Sequence, residues 1–286
     1  MHYSVMAAEA LELLAIRPDG VYIDATTGLG GHTALIAERL TTGLVIANDR
    51  DELSLAMARE NTREWAGRIR FHHGVFQDLA EALAQAGFEK ADGLLADLGV
   101  SRYQLTAAER GFSFLSDGPL DMRMDQTVGT TAADLVNHTS ERALADLIFQ
   151  LGEERRARRI ARAIVRARPI RSTLHLADVV ERAVHRTGRL HPATQTFMAL
   201  RMAVNDEPGE LDRLLRFGPE ILNSGGRMAV LSFMSIDDRK VKERFKELGR
   251  EGRAEILTKR PLQPSDEETG RNPASRSAKL RALEMR

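Results

Sequence analysis

A glycine-rich turn and the carboxylate that follows it have the residue types and spacing to bind a nucleoside. The turn, Asp24–Thr33 (DATTGLGGHT), comes after an apolar run, and its glycines would let a ligand approach the backbone and the next helix's N–H groups. Asp49 ends the next apolar run about 20 residues later, where a carboxylate can accept hydrogen bonds from both ribose hydroxyls. A plain tight turn and a solvated, helix-capping aspartate are the alternatives.

Two further residues follow the third and fourth apolar runs. Phe76 could contact the face of an adenine, although a core phenylalanine is an equal alternative, and Asp97 ends the fourth run. Thr33 stands where Gly-x-Gly-x-x-Gly would place its third glycine after Gly28 and Gly30, which disfavours a dinucleotide and a nicotinamide dehydrogenase. Four such features after four successive strands predict an adenosine ligand, specifically S-adenosylmethionine.

The elements that must position these residues alternate along the first hundred residues. Short apolar runs separated by helical spacing predict a parallel sheet of βαβ units. The predicted strands are 21–26, 44–48, 69–73, 93–98, 227–233, 254–259 and 278–284. Between the fourth and fifth strands, helical segments are predicted at 140–151, 153–168, 173–187 and 193–204, and Pro261–Arg276 is predicted to be a long loop.

These patterns predict a Rossmann-like α/β sheet with an inserted all-helical domain. The expected boundaries are a sheet domain over 1–104 and 206–286, which would bind the cofactor, and a helical domain over 105–205. The histidines show no spacing typical of a metal site, so no metal is predicted.

The chain has no cysteine, which excludes disulfides, thiolate metal sites and a cysteine nucleophile. If S-adenosylmethionine methylates a pyrimidine here, the C5 route, which needs such a nucleophile, is closed, and an exocyclic nitrogen or a ribose oxygen is favoured as the methyl acceptor. We find no signal-peptide pattern and no run of 18 apolar residues, and we therefore expect a cytoplasmic protein with no membrane partner.

The net charge is zero, with 41 Lys+Arg and 41 Asp+Glu, but the charges are unevenly distributed. Residues 1–152 sum to −10, 153–189 to +7, 190–235 to −1 and 236–286 to +4. Five arginines recur at intervals of three and four and would share a helical face; they are Arg155, Arg158, Arg159, Arg162 and Arg166. We interpret this face as a binding surface for RNA phosphates, and a solvated face paired with Glu153 and Glu154 is the alternative.

Longer motifs give the chain a specific resemblance. They are His2–Met6, Gly30-Gly31-His32, Asp97–Ser101 with Gln104, Glu109–Asp125, Gly152–Arg155, His191–Thr194, Ser232-Phe233 with Asp238-Arg239, and Asn272–Ser277. With these motifs the chain resembles the RsmH (MraW) methyltransferases, which methylate N4 of a cytidine in the decoding centre of the bacterial small-subunit (16S) rRNA. The resemblance spans nearly the whole chain.

The resemblance implies a set of functional residues and partners. The implied cofactor contacts are Gly30, Gly31, His32, Asp49, Phe76, Asp97 and Gln104. It also implies S-adenosylmethionine as the cofactor and 16S rRNA in the small ribosomal subunit as the substrate, and it is compatible with a homodimer. Two rival hypotheses are a diverged methyltransferase of another RNA or small amine, and a non-catalytic RNA-binding assembly factor.

The expected chemistry assigns roles to three more residues. An exocyclic cytosine amine is a poor nucleophile, and Asp97 could hold its N–H and accept its proton; a structural or cofactor-only role is the alternative. Tyr103 could stack on a splayed-out base or simply pack on the insertion. Arg123 could order the loop over the substrate through an ion pair with Asp125, or could be a plain tether. The chain differs from the usual family pattern at Arg102-Tyr103 and at Met234.

Overall fold

The computed structural model describes residues 4–186 and 190–286. His2 and Tyr3 of the first motif, and Thr187 at the end of the helix predicted over 173–187, lie outside the described residues. Within the described residues that helix ends at Ala183, earlier than predicted. The chain divides into two compact units, one running to Gly99 and resuming over Gly209–Arg286, the other spanning Val100–Pro208. No helix in the described part of the chain is long and apolar enough to cross a membrane.

The first unit is built on a seven-stranded sheet. The strands are β1 (Val21–Asp24), β2 (Leu44–Asp49), β3 (Ile69–His73), β4 (Ala91–Asp97), β5 (Leu222–Ser232), β6 (Ala254–Ile256) and β7 (Lys279–Met285). Their order across the sheet is β3-β2-β1-β4-β5-β7-β6. The first five strands pair in parallel, whereas β7 is antiparallel to both β5 and β6. The strand order therefore reverses between β1 and β4.

Thirteen helices lie in the described part of the chain. They are α1 (Ala7–Leu14), α2 (Gly31–Arg39), α3 (Glu52–Asn61), α4 (Leu79–Gln85), α5 (Arg102–Thr106), α6 (Ala132–His138), α7 (Glu141–Gly152), α8 (Ala157–Arg166), α9 (Thr173–Ala183), α10 (Thr194–Val204), α11 (Glu207–Phe217), α12 (Ser235–Arg250) and α13 (Asp266–Arg271). The boundary between the units falls inside α11, and the predicted insertion 105–205 lies within the helical unit.

The sheet is covered on both faces, which explains why its strands read as continuous apolar runs. Ile23 of β1 belongs to one buried cluster together with α4, α11 and α12, whereas its neighbour Tyr22 belongs to a second cluster with α1 and α2. Leu94 and Leu95 of β4 divide between the clusters in the same way. Because successive side chains of a strand point to opposite faces, β1 and β4 each contribute to two cores.

The helical unit has its own core. Ile148 of α7, Ile160 and Ile164 of α8, Val180 of α9 and Leu200 of α10 are among its buried members. Asn205 ties the loop after residue 120 to this core, because its side chain bonds the carbonyl of Met122 and the N–H of Met124, both at 2.7 Å. The unit can therefore bury its apolar surface without strands.

Two sequence expectations about elements are wrong. The predicted loop Pro261–Arg276 contains α13, whose N-terminus is capped by Ser265 and whose Glu268 accepts a 2.7 Å hydrogen bond from the Met6 N–H. The predicted helix 153–168 begins only at Ala157, since Glu153 takes a left-handed conformation (φ 53°) at the end of α7. Arg155 therefore lies before α8 rather than on its face.

Candidate active site

Three carboxylates end three adjacent strands of the sheet. Asp24, Asp49 and Asp97 are the last residues of β1, β2 and β4. Asp24 lies opposite Ala47 of β2 and Leu95 of β4, so Asp49 and Asp97 each extend two residues beyond it. They therefore flank the turn that leaves β1, about 10 Å apart at two strand spacings. Open parallel sheets bind ligands at this place, where the strand order reverses.

The glycine-rich turn supplies backbone rather than side chains to this edge. Gly28 and Gly30 both have left-handed backbones, with φ values of 52° and 87°. A Cβ atom on Gly28 would meet nothing closer than 4.0 Å, so the backbone there is approachable. A Cβ atom on Gly30 would come within 2.8 Å of Thr62, so this glycine also permits the close packing of α3. Gly31 opens α2, and Gly30 at its N-cap cannot cap it with a side chain.

Asp49 is held in place by backbone N–H groups. Its Oδ2 accepts a 2.7 Å hydrogen bond from Gly28 N–H and its Oδ1 a 2.9 Å hydrogen bond from Asp51 N–H. Each carboxylate oxygen has two acceptor positions, so each keeps one for a further donor. This arrangement fits a ribose with two neighbouring hydroxyls. The cap of α3 is Asp51, whose side chain accepts from Leu53 and Ser54 N–H.

Asp97 and His32 form a partly buried pair beside the turn. Asp97 is 23% exposed, and its Oδ2 lies 3.7 Å from Nδ1 of the buried His32 ring. Nε2 of His32 lies 3.1 Å from the carbonyl oxygen of Val5, an arrangement in which Nε2 carries the proton and donates. Nε2 is thus engaged by the protein, whereas Nδ1 lies beside Asp97 at a distance too long for a hydrogen bond. The backbone of His32 lies at the start of α2, where it could contact a cofactor.

Burial raises the pKa of all three carboxyl groups. Desolvation raises the pKa of Asp24, Asp49 and Asp97 to about 6 each. For Asp97 the nearby His32 opposes this shift, while Asp24 adds to it. Carboxyl groups with raised pKa values collected at one edge of a sheet are typical of functional sites.

Asp24 is a site residue that sequence reasoning did not single out. It is fully buried, accepts a 2.6 Å hydrogen bond from the Thr33 hydroxyl and a 3.2 Å bond from Thr26 N–H. The Thr26 hydroxyl in turn accepts from Asp97 N–H at 2.6 Å. These bonds join β1, α2 and β4 around the turn. The available signal was that Asp24 ends its strand as Asp49 and Asp97 end theirs.

Phe76 lies partly buried after β3. It opens a short helical turn, packs against the sheet's core, and its N–H donates to Glu210 at 3.3 Å. Both interpretations of this residue, an adenine contact and a core residue, are compatible with partial burial.

The remaining predicted site residues belong to the helical unit. Gln104 is buried, and its side-chain oxygen accepts from Ser101 N–H at 2.9 Å in a capping box of α5. Tyr103 lies half-buried on the same helix. Their roles in binding cofactor and substrate stay predictions.

Arg123 pairs with a different acid from the one expected. Its Nε and Nη2 donate to Asp121 at 2.8 and 2.9 Å, while Asp125 accepts from the N–H and hydroxyl of Thr127. The Asp121 hydrogen bond is the largest cause of the raised pKa of Arg123, and Asp125 is the smallest contributor. The ion pair predicted with Asp125 is therefore replaced by one with Asp121, two residues away on the same loop.

The arginine cluster divides into two kinds. Arg156 is bonded to the buried Glu154 and to the carbonyl of His185, so it serves the fold. The exposed arginines on α8 are Arg158, Arg159, Arg162 and Arg166, which span an arc of about 100°. Of these four arginines, only Arg162 has an acidic partner among the described residues: its Nε lies 3.4 Å from Oε1 of Glu141. Arg155 is also exposed, just before the helix.

The sheet order with its reversed seventh strand and this turn define a Rossmann-like class I methyltransferase, as the sequence predicts. A family model described as the MraW methylase family matches residues 1–286, and the chain belongs to that family. S-adenosylmethionine is accordingly its cofactor.

Three relatives are similar over nearly their whole length, and each is described as ribosomal RNA small subunit methyltransferase H. The protein of Solibacter usitatus is 77% identical over 286 residues, covering 100% of both chains. That of Koribacter versatilis is 49% identical, covering 98% of this chain and 93% of its own. That of Acidobacterium capsulatum is 48% identical, covering 100% and 98%.

Proposed function

We propose that this chain transfers a methyl group to the exocyclic N4 of a cytidine in the decoding centre of small-subunit (16S) rRNA. The observation that carries the proposal is the set of three carboxylates around the β1 turn, in a chain of a methylase family whose similar relatives are named for small-subunit rRNA. The cytosine amine is proposed from the resemblance of the motifs. The absence of cysteine, which closes the C5 route, supports it.

The sheet edge would hold the cofactor in a defined orientation. Asp49, with one free acceptor position on each oxygen, would bind the two ribose hydroxyls. The cofactor would lie against the protein backbone of the Gly28–Gly30 turn and of Gly31 and His32 at the start of α2. Phe76 would contact the adenine, and Gln104 would complete the site. When bound, S-adenosylmethionine supplies a methyl group activated by its sulfonium.

Asp97 would hold the acceptor amine for reaction. In-line transfer needs the amine nitrogen aligned with the methyl group, and a carboxylate oxygen that accepts its N–H can fix that alignment. The same oxygen can take the proton that the amine nitrogen loses when that nitrogen bonds to the methyl carbon. Because Asp97 has a pKa near 6, its carboxylate is ionised at neutral pH and is a better proton acceptor than an exposed aspartate.

The helical unit would bind the RNA. The exposed side chains of Arg155 and Arg159, with their neighbours on α8, suit phosphate contacts. Tyr103 would stack on the target base or a neighbour, and Arg123, fixed by Asp121, would order the loop beside the substrate. A methyltransferase domain over 1–104 and 206–286 with a recognition domain over 105–205 follows from these roles. A homodimer and a cytoplasmic location stay predictions.

The deciding experiment is methylation of small ribosomal subunits that lack this modification. We expect label from S-adenosylmethionine to enter the small-subunit rRNA, with mass mapping placing one methyl group on N4 of a cytidine. Label on another RNA or on a small amine, with that cytidine unmodified, would select a diverged methyltransferase. Cofactor binding without labelling of any rRNA would contradict the proposal.

A further inference from the structure

Helix α12, in the unit that carries the sheet, presents two kinds of cationic side chain. Lys240 bonds both oxygens of Asp212 at 2.7 and 2.8 Å. Arg244 bonds Glu247 at 2.5 Å and the carbonyl of Leu215 at 3.2 Å. The charges on this side of the helix are therefore balanced within the protein.

The other cations of α12 are exposed and form no ion pair among the described residues, although Arg250 lines the same surface depression as Asp212, Glu243 and Glu247. These cations are Arg239, Lys242, Lys246 and Arg250, which we call the α12 stripe. Within the ranges 4–186 and 190–286, none of the four has a carboxylate within ion-pair distance. Spacings of three, four and four residues place them on an arc of about 80°. Glu243 lies at the margin of the arc and lowers its net charge without breaking it.

The helix that carries the stripe is anchored in the core of the sheet. On its inner side α12 buries Val241, Phe245 and Leu248 in the core of the sheet. The helix follows β5, in which Leu231 lies opposite Asp97. Arg239, in the helix's second turn, is therefore the member of the stripe nearest the edge that holds the active carboxylates. From there the stripe extends about 16 Å along the helix.

Charge complementarity indicates the partner. Like charges three and four residues apart repel, and the single glutamate beside the arc, Glu243, cannot offset all four cations, so a polyanion that neutralises them would stabilise the helix slightly. Phosphate groups of a nucleic acid do this and release counterions on contact. A merely solvated face would mix acids among the bases, as the flank of α12 with Lys240, Arg244 and Glu247 does, whereas the stripe has one acid of this helix, Glu243, at its margin.

We propose that the α12 stripe binds phosphates of the RNA substrate, so that the unit with the sheet contacts the RNA backbone as well as the cofactor. This rests on the proposed function, because it takes the methyl acceptor to be rRNA. The stripe is separate from the arginines of α8, which belong to the helical unit. Two independent surfaces of phosphate contacts would then fix the RNA's position.

The test compares the wild type with a triple variant, Lys242→Gln, Lys246→Gln and Arg250→Gln. Arg239 is kept because it lies nearest the active edge. Binding to small-subunit rRNA is measured against salt concentration. The slope of log affinity against log salt is negative, and each lost phosphate contact reduces its magnitude by about 0.7–0.9. We expect the magnitude of the slope to decrease by about 2 in total, with the affinity for S-adenosylmethionine unchanged in calorimetry.

The matched control removes the balanced cations of the same helix, in Lys240→Gln with Arg244→Gln. Their charges are already neutralised, so we expect a slope change well below that of one phosphate contact. A triple variant with the wild-type slope would overturn the stripe while the proposed function stands, provided that the wild type labels rRNA. A wild type that labels no rRNA would instead overturn the proposed function, and this is read before any variant is made.

Discussion

The sheet's active edge and the face of α8 differ in how the protein treats charge. At the edge, Asp24 is fully buried, Asp49 and Asp97 are partly buried, and the pKa of each carboxyl group is raised to about 6; backbone N–H groups or a threonine hydroxyl hold Asp24 and Asp49, and His32 lies beside Asp97. On α8, Arg158, Arg159 and Arg166 are exposed and have no acidic partner in the described residues. Fixed, partly desolvated groups suit one small ligand of defined shape. Exposed, solvated cations suit a long polyanion recognised by its charge.

The comparison predicts that the two regions fail separately. A change at the edge should alter affinity for the cofactor with little effect on the salt dependence of RNA binding. A change on α8 should do the reverse. The predictions below probe this separation.

The largest expected effect is that of Asp49→Ala on cofactor binding. It removes the acceptors for two hydroxyls and also releases Gly28 N–H, so affinity should fall roughly 100-fold, about 2.7 kcal/mol. Calorimetric titration with S-adenosylmethionine measures this. The control is Asp92→Ala, which removes a partly buried aspartate at the opposite end of β4 that bonds Val21 N–H. It should lower stability but leave cofactor affinity within about twofold; equal losses in both variants would misplace the site.

The next effect concerns the basic surface of the helical unit. Replacing Arg155, Arg158, Arg159 and Arg166 by Gln should lower the salt slope of rRNA binding by about 3 and the affinity by more than tenfold at low salt. Cofactor affinity should not change. Arg182→Gln removes an exposed arginine already paired with Asp178 and should have little effect. If the quadruple variant keeps the wild-type slope, the phosphate interpretation of α8 is wrong.

Acid should weaken cofactor binding through the raised carboxyl pKa values. Between pH 7 and 5, affinity should fall about tenfold for each carboxylate that must be ionised, because these groups gain protons near pH 6. Acid unfolding of the protein would not explain this loss of affinity.

A carboxyl group whose pKa is raised on folding takes up its proton at a higher pH in the folded state than in the unfolded state. Its contribution to the free energy of unfolding therefore increases as the pH falls from about 6 to 4. Pairs such as Asp238–Arg281 are lost only below pH 4, since the pKa of Asp238 is lowered. Constant affinity from pH 7 to 5 would show that these carboxylates do not contact the ligand.

The smallest effect is expected for Phe76→Leu. The change keeps apolar volume but removes an aromatic face worth about 1 kcal/mol, so cofactor affinity should fall about fivefold. Phe71→Leu is the matched control, because Phe71 lies on β3 and stacks under Arg59. If both variants bind the cofactor as tightly as the wild type does, Phe76 is a core residue only.

The parts of the fold that depend on local pattern were predictable. The four strands before the insertion and the turn after β1 follow from apolar runs and glycines, and the ends of those strands identify Asp49 and Asp97. Helix α1 and helix α11, which carries Pro208 in its first turn, went unpredicted because their patterns are short or interrupted. The loop expected over 261–276 folds partly as α13.

The contacts that set the site's chemistry could not be predicted from local pattern. The His32 ring donates to the carbonyl of Val5, 27 residues away, and the Met6 N–H donates to Glu268, 262 residues away. Such pairs depend on how distant segments pack. The Asp121 partner of Arg123 is the opposite case: it is close in sequence, but spacing alone favours Asp125 equally.

A crystal structure with S-adenosylhomocysteine bound tests the proposed cofactor site most directly. We expect both ribose hydroxyls within hydrogen-bond distance of the two Asp49 oxygens, with the amino-acid part of the ligand between the Gly28–Gly30 turn and Asp97. A ribose bound away from Asp49, or a ligand held within the helical unit, would contradict it.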